Sequence, residues 1–171
     1  MHILGIDPGI GSTGFAILGE SHSSRLTLVQ SGEVRTNLKS PFQVRLKKIF
    51  DQLLQVIDET TPSAVAIEDT FLARNVKTAL KLGQARGVAL LAAAFRNLPV
   101  FEYSPTSVKL SVVGYGGASK VQVKEMVTRL LKIHSTITSE HAVDAAAVAI
   151  CHAHTVAFDR RVHSSEKSAS V

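Results

Sequence analysis

Two short apolar runs in this chain each end on an acid. They are His2-Ile3-Leu4-Gly5-Ile6-Asp7 and Ala64-Val65-Ala66-Ile67-Glu68. Neither run alternates between apolar and polar residues. Such runs read as strands buried on both faces, which requires helices on both sides of a sheet. The remaining pattern supplies those layers. Phe15 to Leu18 and Leu26 to Arg35 read as further strands, joined to the first by short loops, and Val100 to Tyr103 as a fifth. Leu46, Ile49, Phe50, Leu53, Val56 and Ile57 recur at helical spacing, which predicts a helix from Pro41 to Thr60, stopped by Pro62. Helices are also predicted over 75–96, 105–113 and 140–158, and from a cap at Ser119 to Lys132, with Gln122 placed for a capping box. The result is an α/β domain with a five-stranded mixed sheet flanked by helices. Residues 1–158 form one domain, and the polar, unpatterned stretch 159–171 is expected to be a disordered tail.

The helical connection lets the first and fourth strands run parallel, with Asp7 and Glu68 at neighbouring carboxyl ends, where α/β sheets place ligands. One acid before Pro-Gly is commonly a turn residue. Two at equivalent positions repel each other, and a divalent cation relieves that repulsion. A third candidate is Asp144, early in the last helix among Ala and Val residues. His141 and Glu140, three and four residues earlier, can share its face. Glu140 fits a simpler role, as partner of the helix dipole.

Charge points to the class of partner. The chain carries +5 overall, with a pI near 9.6. Ten of its basic residues fall between Arg74 and Lys132, with only Glu102 and Glu125 among them. That segment is therefore +8 and the rest −3, an asymmetry suited to a polyanion bound on one side. The single cysteine, Cys151, can form no internal disulfide and reads as a small core residue. No run approaches the ~18 apolar residues of a membrane span, and the N-terminus lacks the features of a signal peptide, so a cytoplasmic protein without membrane contact is expected.

Gly5-Ile6-Asp7-Pro8-Gly9 with Thr13-Gly14, then Ala66-Ile67-Glu68, Leu80-Lys81-Leu82-Gly83-Gln84-Ala85-Arg86-Gly87, Val112-Val113-Gly114 and Ala142-Val143-Asp144-Ala145-Ala146 occur in order. Together they closely resemble the RuvC family of bacterial Holliday-junction resolvases, over residues 3 to 155. The resemblance implies a ribonuclease H-like fold and a homodimer. It also implies two magnesium ions per site, which manganese can replace. The activity implied is paired, symmetric nicking of four-way DNA junctions in recombination and repair, leaving 5′-phosphate and 3′-hydroxyl ends. A RuvA–RuvB branch-migration complex is the implied partner. Three positions of the family's metal site match as Asp7, Glu68 and Asp144. The fourth, usually Asp, is His141 here, a neutral ligand that takes metal only when unprotonated. The resemblance also points to Phe71 as an aromatic that stacks on bases and to Lys109 and Lys120 as backbone contacts. Arg74 and Lys77 join them as candidate DNA contacts from the basic segment.

Two alternatives differ in class: a nuclease of the same fold acting on RNA, and a junction-binding protein whose catalysis has weakened at His141. The glycine turn Gly9–Gly14 has no Gly-Lys-Ser/Thr and so is not a P-loop. The length leaves no room for the second lobe of an actin-like ATPase.

Overall fold

The computed structural model describes residues 1–21, 25–69, 75–133 and 139–168, with side chains as far as residue 162. Five strands form one sheet: β1 (His2–Asp7), β2 (Ser12–Glu20), β3 (Leu26–Arg35), β4 (Ala64–Glu68) and β5 (Val100–Tyr103), in the order β3-β2-β1-β4-β5. β1, β2 and β3 pair antiparallel. β1 pairs parallel with β4, and β4 with β5. The doubly covered strands expected at β1 and β4 are present, and α1 (Phe42–Thr60) is the crossover that makes them parallel.

Alternate residues of the central strands feed two cores. Leu4, Ile6, Val65 and Ile67 point toward α1 and α2 (Val76–Ala94). Ile3, Ala16 and Ala66 point toward α3 (Pro105–Val113), α4 (Lys120–Leu130) and α5 (Glu140–Ser168). Ala145 to Ile150 of α5 are essentially unexposed, because small side chains let this helix lie directly on the sheet. Cys151 belongs to the same core. The Ser119 capping box forms with Gln122, and Asn75 caps α2 by accepting from the Thr78 amide.

Two elements run well beyond the sequence reading. β2 extends to Ser12 and Glu20, because antiparallel pairing with β3 carries its polar ends. The last helix continues past Phe158 to Ser168, so 159–168 is helical rather than a disordered tail. Its sequence is polar but contains no Gly or Pro to stop the helix, and Arg160 reaches Glu20 at 3.8 Å. No helix among the described residues is long and apolar enough to cross a membrane.

Candidate active site

Asp7 ends β1 and Glu68 ends β4, one step beyond the paired Ile6 and Ile67, so both carboxylates leave the sheet at the carboxyl ends of adjacent strands and on the same face. α5 crosses that face. It comes close because Gly5 and Gly14 have no side chains: a Cβ on Gly14 would lie 2.0 Å from the His141 carbonyl oxygen, and one on Gly5 would lie 2.0 Å from that of Ala145. Gly14 is paired directly with Asp7, so the backbone of His141 passes over the strand position beside Asp7. His141 Nδ1 then stands 2.8 Å from Asp7 Oδ2. Asp144, one turn further along α5, accepts from Lys120 Nζ at 3.0 Å. Asp7, Glu68, His141, Asp144, Lys109 and Lys120 line a single cavity of about 340 Å³.

The electrostatics of this cavity favour a bound cation. Burial raises the Asp7 carboxyl, and the Asp144 charge adds to the effect against the opposing hydrogen bond from His141. Glu68 is pushed up to about 7, by burial first and then by the charges of Asp7 and Asp144. His141 is raised above the ordinary imidazole value by its hydrogen bond to Asp7. Lys120 is held charged by Asp144. Three carboxylates and an imidazole in one water-accessible cavity, two of the carboxylates resisting ionisation, form a donor set suited to hard divalent cations. Among the described residues no three His, Cys, Asp or Glu side chains converge tightly enough to enclose one ion as they stand. Asp7 is turned toward His141, and Asp144 toward Lys120.

The remaining sequence candidates separate. Lys109 and Lys120 line the cavity, whereas Lys77 is exposed in the first turn of α2 and does not line it. Phe71 and Arg74 lie outside the described residues. Glu140 is exposed beside the cavity mouth, in a smaller pocket shared with Lys120, Lys124 and Asp144. Of the histidines, His152 is buried with its Nδ1 2.8 Å from the Tyr103 hydroxyl, and His154 meets Ser111 at 3.2 Å. They occupy different faces of α5, and neither reaches the cavity.

The sequence reading missed Glu33. Its carboxylate accepts from Ser12 Oγ at 2.8 Å and Ser139 Oγ at 2.6 Å, and it also pairs with Arg35. These hydroxyls hold its carboxyl down to about 2.

Comparison with known proteins agrees with this geometry. The family described as Crossover junction endodeoxyribonuclease RuvC matches residues 3–152. The RuvC of Koribacter versatilis is 47% identical over 163 residues, spanning 95% of this chain and 98% of that protein. The RuvC of Syntrophotalea carbinolica is 50% identical over 154 residues, spanning 90% and 94%. The Thermus thermophilus RuvC solved in complex with Holliday junction substrate superposes with a TM-score of 0.87 at 33% identity, covering 93% of this chain and 96% of that one.

Proposed function

From the premise that this chain belongs to the RuvC family of crossover junction endodeoxyribonucleases, a ribonuclease H-like fold, we propose that it resolves four-way DNA junctions by metal-dependent paired nicking centred on Asp7. The observation that carries the assignment is the shared cavity, in which Asp7 and Glu68 from adjacent parallel strands face His141 and Asp144 from α5. These four residues hold the metal. Bound divalent cations would activate a water and stabilise the charge that develops on the phosphate oxygens. Carboxylate oxygens suit magnesium, and the imidazole suits manganese at least as well. Lys109 and Lys120, at the cavity wall, attract the scissile phosphate. Lys77, Phe71 and Arg74 contribute further contacts to DNA in this reading.

The substrate explains why the enzyme acts as a dimer. A four-way junction has two-fold symmetry, and a C2 pair of subunits offers two sites at a fixed spacing. The surface for this pairing is the outer side of α2. Val76, Leu80 and Leu91 are exposed there at spacings that keep them on one side of the helix, with Gly83 and Gly87 between them. The apolar run Val88–Ala94 is divided by the fold: Ala89, Ala92 and Ala93 enter the core while Leu91 stays outside. A RuvA–RuvB partner complex and a cytoplasmic site of action belong to the same reading.

Asp7→Asn tests the assignment. Losing a metal ligand removes several kcal/mol of charge stabilisation, and each 1.36 kcal/mol is tenfold in rate. Cleavage of a synthetic four-way junction should therefore fall roughly 1000-fold in magnesium and in manganese, while the gel shift of junction DNA persists. Cleavage at the wild-type rate would remove Asp7 from the site.

A further inference from the structure

Sheet register connects the active site to a residue on the far edge strand. Gly14 of β2 pairs with Asp7 on one side and with Glu33 of β3 on the other. Residues paired directly across strands present their side chains on the same face. Glu33, the gap at Gly14 and Asp7 therefore form one row beneath α5, and Glu68 and its partner Tyr103 continue it. The first turn of α5 lies across the gap.

That turn is gripped from both sides by carboxylates of this row. Toward β1, His141 Nδ1 meets Asp7 Oδ2 at 2.8 Å. Toward β3, Ser139 Oγ donates to Glu33 Oε2 at 2.6 Å, and Ser12 Oγ donates to the same oxygen at 2.8 Å. Ser139 also begins the helix: its hydroxyl faces the Ala142 amide at 3.4 Å, and its carbonyl accepts from the Val143 amide at 3.2 Å. An O–H···O⁻ bond of this length is in the strong, charge-assisted range, and a negative charge beside a helix N-terminus is favoured by the helix dipole. The Glu33 side chain is only 13% exposed, so water competes little for it.

We infer that Glu33 is a positioning residue for junction cleavage, which through Ser139 fixes the first turn of α5 and so sets His141 and Asp144 against Asp7. It touches neither DNA nor the reacting atoms. The inference rests on the reading of Asp7, His141 and Asp144 as the site. Interactions that orient metal-binding side chains typically affect metal affinity or rate by about 10–100-fold, so a similar loss is expected when this link is cut.

The test compares Glu33→Ala, Glu33→Gln, Ser139→Ala and the Glu33→Gln/Ser139→Ala double variant with the wild-type protein. Single-turnover cleavage of a four-way junction should fall about 10–100-fold in Glu33→Ala and Ser139→Ala. Glu33→Gln keeps an acceptor oxygen and should recover part of the rate. The double variant should be no slower than the slower single, because both changes cut one link. Junction affinity by gel shift should stay within about twofold of wild type, since the DNA-binding lysines are untouched. In the metal-free protein, hydrogen exchange should quicken at the Ala142 and Val143 amides and stay unchanged at Val148 and Ile150. Wild-type cleavage by folded Glu33→Gln and Ser139→Ala would overturn the inference, as would fully multiplicative losses in the double variant. Exchange that quickens along the whole of α5, with rate losses that follow melting temperature, would also overturn it by reducing Glu33 to a stability element. Asp7→Asn separates the two claims: if it cleaves normally, the site reading fails. If it is inactive while the Glu33 and Ser139 variants are normal, only the positioning role fails.

Discussion

Gly5 and Gly14 lie under α5, Gly83 and Gly87 on the outer side of α2, and the two pairs answer to different neighbours. A side chain on either of the first pair would drive into the backbone of α5, at 2.0 Å from a carbonyl oxygen in both cases. A side chain on either of the second pair would meet nothing within 4 Å. Glycine inside a helix costs roughly 0.8–1.0 kcal/mol relative to alanine. Close packing within the chain offsets nothing comparable at Gly83 and Gly87, whereas at Gly5 and Gly14 the absence of Cβ is what lets α5 reach the sheet. The α5 contact is thus complete within one chain, whereas the outer side of α2 is left open, as the proposed dimer surface requires.

The most severe way to break the first half of this contrast is Gly14→Ala. The added methyl must push the first turn of α5 away from Asp7, and a displacement near 1 Å at a catalytic centre can cost about 100-fold in rate. Junction cleavage should fall at least about 100-fold, with a lower melting temperature and a far-UV spectrum that still reports the fold. Gly14→Ala with wild-type cleavage would mean that His141 and Asp144 need no close contact with β2.

Titration separates the two regions next. The α5 side of the sheet gathers Asp7, Glu68 and His141, all raised above their ordinary values. The apolar residues of α2's outer stripe have no ionisable group. For each raised group the folded protein binds the proton more tightly than the unfolded chain. Their contribution to stability is therefore complete below the ordinary carboxylate range and is lost as pH rises through the folded values, which for Glu68 means up to about 7. Between about pH 5 and pH 8 the metal-free wild type should lose several degrees of melting temperature relative to Glu68→Gln, a comparison that cancels the opposing effect of buried His152, whose imidazole burial holds below its ordinary value. Adding magnesium at the higher pH should restore the melting temperature of the wild type but not of Asp7→Asn. A pH slope that Glu68→Gln leaves unchanged would contradict the crowding of carboxylates in the cavity.

Much of this was legible in the residues. Apolar runs ending on Asp7 and Glu68 announced buried strands with acids at one edge, and the α1 periodicity announced the crossover that makes them parallel. Asp144 stood out as an acid among alanines, and His141 was within one turn of it. Glu33 was not legible, because its partners come from register: it sits opposite Gly14 and reaches Ser139, 106 positions away. The continuation of α5 past Phe158 was not legible in a polar, unpatterned sequence, because helix stability there needs only the absence of breakers and a few contacts such as Arg160 with Glu20. The function of Gly14 was half visible. It stands out in a glycine-rich segment, but it lies in β2 rather than in a turn, and the helix that requires it comes from the other end of the chain.

The gentlest perturbation tests the second half of the contrast. Gly83→Ala and Gly87→Ala each replace a helical glycine on an open surface, so each should stabilise the isolated subunit by about 1 kcal/mol. If the outer side of α2 faces only water, that is the entire effect. If a second copy packs there, the new methyl groups separate the two helices between Leu80 and Leu91, and the dimer weakens while the monomer strengthens. Analytical ultracentrifugation should then show a higher dimer dissociation constant in both variants, even as denaturant midpoints at low protein concentration move up. Gains in stability with no change in self-association would leave the exposed Val76, Leu80 and Leu91 without a partner in this chain and move the dimer surface elsewhere. Opposite movement of the two quantities is hard to produce by any general loosening of the fold, so this small change discriminates better than a larger one on the same helix.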